Sequence, residues 1–264
     1  MRYILIIIII ISLSLNTFAQ FHAVYIPEEK LSKMKMDGNM NDWNWMQPAD
    51  FITTKSFNEF SFNAKVDPKN WDCKLAFGWS DVTNRLYIVA LVYDNVRIAN
   101  VITTKDAHWL NDNFEIMVFP TGNTIERSFV QYYFLVPFID KNEEMNVGIG
   151  GKWLKSQLEW GWKILGDRSR PGYTIYEISM PIWDDWNARG IKFSKKHTLS
   201  ANETIYLSIA ANDLDNDKTK VMHWDTSPGR NCFSDPKDLS ELTLDPPVSV
   251  NRSWNNIAKV LMPY

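Results

Sequence analysis

Cys73, Leu75, Phe77 and Trp79 fall on one side of a period-two alternation, with Lys74, Ala76 and Gly78 on the other. That spacing puts the two sets on opposite faces of an extended strand. After the turn-like Ser80-Asp81-Val82-Thr83-Asn84, the run 86–93 is apolar at both sets of positions. A segment of this kind has to be covered on two sides, so it predicts a central strand of a layered sheet, hairpinned to the first. Further strands are predicted at 113–119, 129–136, 160–165, 173–180 and 204–211, with shorter ones at 59–66, 220–224 and 241–244. Prolines and Asn/Asp/Gly clusters punctuate them, as at Pro120-Thr121-Gly122-Asn123. Helical pattern is confined to one or two turns at 43–46 and 182–187. Many strands with frequent turns predict an all-β antiparallel β-sandwich with one or two short helices.

The first residues are set aside from the fold. Arg2 supplies a positive start, residues 4–15 are almost wholly apolar, and Thr17-Phe18-Ala19 offers small residues at the two positions a signal peptidase reads. This predicts a signal peptide over 1–19, cleaved between Ala19 and Gln20, and a secreted or periplasmic protein. The run falls short of the roughly 20 apolar residues a bilayer span needs, and no later apolar stretch is long enough to cross a membrane. A lead-in over 20–35, one domain over 36–245 and a tail over 246–264 follow, the tail beginning at Pro246-Pro247. The net charge of −3 and a pI near 5.8 supply no basic field, so nucleic acid is not an expected partner. Cys73 and Cys232 allow either one disulfide, adding about 2–4 kcal/mol through its long loop, or two buried thiols.

The aromatic load of 12 Trp, 10 Tyr and 14 Phe stands out for an exported chain. Most of these rings fill a sandwich core, but indole faces also stack on the C–H faces of sugars. A series of signatures runs in order along the chain: Asp37-Gly38, Asp42-Trp43, Trp79 with Leu86-Tyr87-Ile88-Val89-Ala90, Asp94, Trp109-Leu110-Asn111-Asp112 with Glu115, the segment 173–181, and Asn212-Asp213. In order and spacing this resembles the family 9 carbohydrate-binding modules, a branch of the sugar- and haem-binding β-sandwiches. The resemblance implies a two-sheet architecture of jelly-roll or immunoglobulin-like kind. It also implies noncatalytic binding of an oligosaccharide or polysaccharide, in support of carbohydrate breakdown.

It further implies an aromatic clamp around a sugar. Trp109 matches one wall, and Phe233 stands where the family has a second tryptophan. Glu115 matches the glutamate of the Trp-x-x-Asp-x-x-Glu signature, and Gln131 a polar contact. The family's arginine position falls where this chain has Tyr132-Tyr133, leaving Tyr133 with a single hydroxyl and Arg230 as a nearby cation. The bland alternatives are a packing role for Trp109 at the head of the strand beginning at Asn113, and a Glu115 that faces solvent or pairs with Arg or Lys. Trp43, Trp79, Trp224 and Glu177 match scaffold positions.

No cofactor is required by this reading, although structural calcium is common in the resembled family. Asp213-x-Asp215-x-Asp217 alternates carboxylates but has Lys218 and Trp224 where a calcium-binding EF-hand loop needs glycine and glutamate, so a solvated turn is expected there. Catalytic signatures such as Gly-x-Ser-x-Gly, His-Glu-x-x-His or a phosphate loop are missing from the chain. Glu115, Glu177 and Asp94 offer carboxylates for glycoside hydrolysis, but nothing in the spacing pairs them. The alternative of another class is a b-type haem domain, for which His108, His223 and ten methionines are available. A Soret band in the purified protein separates the two.

Overall fold

A computed structural model describes residues 21–59, 66–98, 111–120, 127–135, 144–167, 171–215, 221–227 and 232–247. Among these residues the strands are β1 (Phe21–Tyr25), β2 (Ile52–Thr53), β3 (Asn58–Glu59), β4 (Trp71–Ser80), β5 (Arg85–Asp94), β6 (Asn113–Phe119), β7 (Val130–Leu135) and β8 (Glu144–Ile149). They continue as β9 (Glu159–Leu165), β10 (Gly172–Met180), β11 (Trp183–Asp185), β12 (Lys195–Lys196), β13 (Thr204–Leu214), β14 (Val221–Asp225) and β15 (Ser240–Leu244). Among the described residues helix is confined to α1 (Glu28–Leu31) and short 3-10 turns. No helix of the described residues is long and apolar enough to cross a membrane.

The main path runs β8-β7-β6-β13-β15-β1-β4-β5-β10-β9, with β14 and β3 added beside β13 and β2 beside β4. β1 is the seam: it pairs in parallel with both β15 and β4, while the other pairings are antiparallel. Alternation decides how the path folds into two layers. Leu86, Ile88, Ala90 and Val92 of β5 meet Phe114, Ile116 and Val118 of β6 and Ile205, Leu207 and Ile209 of β13 in one shared core. Tyr87, Val89 and Leu91 point the other way, into a second cluster with Met40, Trp43, Trp45, Met46 and Phe51. Met117 and Phe119 of β6 join a third cluster with Phe129, Ala210, Cys232 and Leu239 on the opposite outer surface. The molecule is thus a β-sandwich, with each large core side chain contributing about 1.5–3 kcal/mol by leaving water.

The second cluster is fastened by Glu177 on β10, which is fully buried. Its Oε2 accepts the backbone N–H groups of Asp37 (3.1 Å), Gly38 (2.6 Å) and Asn39 (2.8 Å), and its Oε1 accepts the Trp43 indole N–H at 2.7 Å. The turn at Asp37-Gly38 reaches it only because two side chains are missing. Gly38 has φ of 79°, and a Cβ there would lie 2.5 Å from the Trp162 carbonyl carbon; a Cβ on Gly161 would lie 2.1 Å from the Met36 oxygen.

Several expectations change. The segment 182–187 is not helical: Trp183–Asp185 forms β11 against β12. Tertiary burial overrides local pattern here, because Trp183 is driven into the core edge-on to Trp153 at 5.0 Å and the Trp186 indole donates to the Phe129 carbonyl at 3.0 Å. The turn expected at 43–46 is a 3-10 turn over Met40–Trp43. Residues 20–35 contribute β1, and β8 is a strand that was not among those expected. Cys73 and Cys232 are free, buried thiols, one between the layers and one in the cluster on the outer face of β6 and β13. The tail beyond Pro247 and the signal segment lie outside the described residues.

Candidate functional site

Alternation on β6 sends Glu115, Met117 and Phe119 to the outer face while their neighbours enter the core. Register then sets their companions: Glu115 lies opposite Tyr133 of β7 and Ala210 of β13, and Met117 opposite Gln131. Glu115 is only 1% exposed. A buried carboxylate is tolerable when its oxygens are hydrogen-bonded. Here Oε2 accepts Gln131 Nε2 at 3.2 Å and Oε1 accepts Asn212 Nδ2 at 2.5 Å; that amide nitrogen also reaches Asn113 Oδ1 at 3.0 Å. Burial, and then the Glu115 charge, push the Tyr133 phenol well above its ordinary pKa.

Beside this polar floor the face turns apolar. Phe233 packs, half-buried, on the cluster of Met117, Phe119, Phe129 and Cys232. Its loop is tied down through Asp225 at the end of β14. That carboxylate accepts the Cys232 thiol at 3.0 Å, the Ser227 backbone N–H at 2.6 Å and the Ser208 hydroxyl. Burial and the Asp225 charge push the Cys232 thiol far up, which keeps it protonated and unreactive.

Of the residues predicted from sequence, the fold brings together Glu115, Gln131, Tyr133 and Phe233 on one face. Trp109 and Arg230 lie outside the described residues. So does His108, and of His223 only the backbone is described, paired with Asn212 in β14. Sequence reasoning missed Asn212 and Asp225 as parts of this face. Asn212 was visible as half of the Asn212-Asp213 signature; Asp225 carried no signal beyond its place after Trp224. Trp43 and Trp79 are buried scaffold, as expected.

A second polar cluster adjoins the first. Asp94 at the end of β5, Asp112 just before β6 and Asp213 in β13 each offer one carboxylate oxygen, all within 4.8 Å of one another. Asp112 accepts the N–H groups of Leu214 (2.6 Å) and Ile98, Asp94 accepts that of Val96 (2.8 Å), and Asp213 accepts Asn70 Nδ2 at 2.8 Å. Burial pushes Asp94 up to about 7; burial and the Asp94 charge push Asp112 well above its usual range. Asp213 is therefore not part of a solvated turn. β13 runs on to Leu214, three residues past its predicted end, and carries Asp213 into the sheet at 1% exposure. Asp217 lies outside the described residues. Buried oxygen donors with no sulfur or imidazole suit a hard cation such as calcium.

A two-layer sandwich with a hydrogen-bonded carboxylate–amide floor beside an anchored aromatic ring is the frame of a binding module. The chain belongs to the carbohydrate family 9 binding domain-like family, whose profile matches residues 36–246. Solved structures agree in fold. A family 9 carbohydrate-binding module from Caldicellulosiruptor kristjanssonii, in complex with cellotriose, is 16% identical at a TM-score of 0.60, covering 88% of this chain and 96% of that one. A family 9 carbohydrate-binding module from the same organism, in complex with glucose, is also 16% identical at a TM-score of 0.60, covering 88% of this chain and 100% of that one. A putative carbohydrate-binding protein from Bacteroides uniformis ATCC 8492 is 12% identical at a TM-score of 0.50, covering 86% of this chain and 99% of that one. Among curated proteins there is no match.

Proposed function

We propose that the protein is an exported, noncatalytic carbohydrate-binding module that holds an oligosaccharide or polysaccharide on the outer face of β7, β6 and β13, in support of glycan breakdown. The observation that carries this reading is the Glu115–Gln131–Asn212 floor lying beside Phe233 on one face. A pyranose presents apolar C–H faces and a rim of hydroxyls, so a site for it needs a flat ring and fixed polar groups together. Phe233 is the ring, and its loop is held by Asp225. Glu115 fixes the amides of Gln131 and Asn212, and Tyr133 completes the rim. The resemblance offers Trp109 as a facing wall and Arg230 as a further contact, both outside the described residues. Membership of the family supports the reading, as do the cellotriose and glucose held by modules of the same fold.

Calcium enters the same reading as a structural ion. Asp94, Asp112 and Asp213 would hold it, and it would neutralise carboxylates that otherwise need a proton. The residues themselves tie β5, β6 and β13 together at the edge of the site.

A glycan array probed with the mature chain from Gln20 tests the function. Retention on one glycan class, with no release of sugar from it, is expected. No retention on any glycan, or steady turnover of one, would overturn the proposal.

A further inference from the structure

The end of the sandwich away from the acidic cluster has an unusual surface. β5 runs from Arg85 at this end to Asp94 at the other, and ten residues at about 3.3 Å each span roughly 30 Å. The β4–β5 turn lies here, and Asn84 ties it to the 197–199 segment: its Nδ2 donates to the His197 carbonyl at 2.8 Å and its Oδ1 accepts the Leu199 N–H at 2.9 Å. β10 ends here as well, Met180 opposite Leu86, so the excursion through β11, the 3-10 turn Ile191–Phe193 and β12 belongs to the same end. Among the described residues the exposed large apolar side chains are Val82 (59%), Ile191 (44%) and Phe193 (53%). All three are at this end.

Scattered exposed apolar residues need no explanation, but Ile191 and Phe193 share one turn. Cations flank this pair, whereas Val82 stands beside the exposed Asp81. Residues 189–196 include Arg189, Lys192, Lys195 and Lys196, all exposed, and no carboxylate, in a chain of net charge −3. The Arg189 guanidinium lies 4.2 Å from the Phe193 ring centroid, Lys196 Nζ lies 5.7 Å from that of Trp183, and Lys195 pairs with Asp184 at 2.8 Å. The tip is also rigid. Ser194 Oγ accepts the Asn187 N–H at 2.8 Å and donates to the Gly190 carbonyl at 3.0 Å, and the Trp153 indole donates to the Asn187 carbonyl at 2.8 Å. His197 is held between Asp184 (2.6 Å) and Glu203 (2.5 Å). Ile191 and Phe193 are presented in place, so little ordering entropy is lost when they are covered.

The occupant follows from shape and charge. A stacked sugar is disfavoured, because Arg189 already covers one face of Phe193. A folded acidic protein would need about 800 Å² of matching surface from each partner, more than a two-residue tip offers. A convex tip with apolar points and a collar of cations matches the boundary between headgroups and acyl chains of an anionic bilayer. We propose that this end of the sandwich docks on an anionic phospholipid surface, with Ile191 and Phe193 entering the headgroup–acyl boundary and Arg189, Lys192 and Lys196 meeting the phosphates. The proposal does not rest on the glycan reading, since Ile191, Phe193 and the cations beside them are not among the residues assigned to the sugar.

Co-sedimentation of the mature chain from Gln20 with vesicles tests it. Vesicles of equal parts phosphatidylglycerol and phosphatidylcholine should carry the protein down, and phosphatidylcholine alone should not. Added salt should release it. The double variants Ile191→Ser/Phe193→Ser and Lys192→Glu/Lys196→Glu should each weaken sedimentation roughly tenfold or more, while melting temperature and glycan retention stay as in the wild type. No binding to the anionic vesicles overturns the proposal. So does sedimentation of both double variants equal to that of the wild type, or a fall in their binding to an acidic polysaccharide or protein with none in their binding to the vesicles. The charge variant alone remains decisive if the apolar one folds poorly.

Discussion

Glu177 on β10 and Glu115 on β6 are both buried carboxylates in mid-strand, yet different groups hold them. Glu177 is gripped by three backbone N–H groups and an indole, none of which can turn to another partner without moving the chain. Glu115 accepts from the side-chain amides of Gln131 and Asn212, which carry further hydrogen-bonding groups of their own. The first arrangement fastens a turn to a sheet. The second builds a polar floor out of side chains, and it lies next to an anchored aromatic ring. The difference teaches that burial alone does not separate scaffold from site; the kind of donor does.

The largest effect expected is on the scaffold side. Glu177→Ala leaves four donors, two of them buried, without their acceptor and should cost about 3–5 kcal/mol. That is a fall of roughly 10 °C in melting temperature for a domain of this size, with glycan affinity of the folded protein unchanged. Loss of glycan affinity without loss of stability would dissolve the contrast.

Calcium gives the next effect. At a hundred times its Kd, a cation held by Asp94, Asp112 and Asp213 should add about 2.7 kcal/mol. The melting temperature in chelator should rise by several degrees on adding millimolar calcium, and Asp213→Asn should abolish the rise. An identical response in that variant would leave the three carboxylates sharing protons instead.

On the site side, Trp109→Ala should weaken glycan binding by about 1–3 kcal/mol, taking stacking of nucleobases on aromatic side chains as the analogue. That corresponds to roughly 5- to 150-fold in affinity. Melting should change little. Unfolding of this variant would return Trp109 to a packing role.

The smallest effect is pH dependence. Glu177 and Asp94 sit near 7 because burial outweighs the groups that favour their ionised forms, and Asp112 is raised too. Over the window from about pH 4 to 7 the folded protein then binds more protons than the unfolded chain, so stability falls as pH rises. His197 is raised chiefly by its bond to Glu203, with Asp184 adding to it. Its contribution is present below its unfolded value of about 6.5 and is lost as pH rises through its folded value, which is the same sign. Melting temperature in chelator should be higher at pH 5 than at pH 8, and calcium should narrow the gap. A rise between pH 5 and 8 would contradict the directions assigned to these groups.

The frame was legible where alternation is strong. β4, β5 and β6 follow directly from period-two burial, and the doubly apolar run 86–93 lies between two strands as its composition required. β8 carries the alternation too, Met145, Val147 and Ile149 against Glu144, Asn146 and Gly148, and sequence reasoning missed it; β11 was hidden because Trp183 takes its shape from the core it enters. The site was half legible. Glu115, Gln131 and Tyr133 became neighbours through strand register, which the resemblance carried and spacing alone did not. Asn212, Asp225 and the burial of Asp213 depend on where β13 and β14 end, and strand ends are set by pairing across the sheet.

The most direct measurement is a calorimetric titration of cellotriose, or of whichever glycan the array selects, into wild type, Phe233→Ala and Phe233→Trp. If the ring beside the Glu115 floor is a sugar platform, Phe233→Ala loses roughly 5- to 150-fold in affinity. Phe233→Trp then binds as well as wild type or better, both variants remaining folded. Wild-type affinity in Phe233→Ala would contradict the account and move the site off this face.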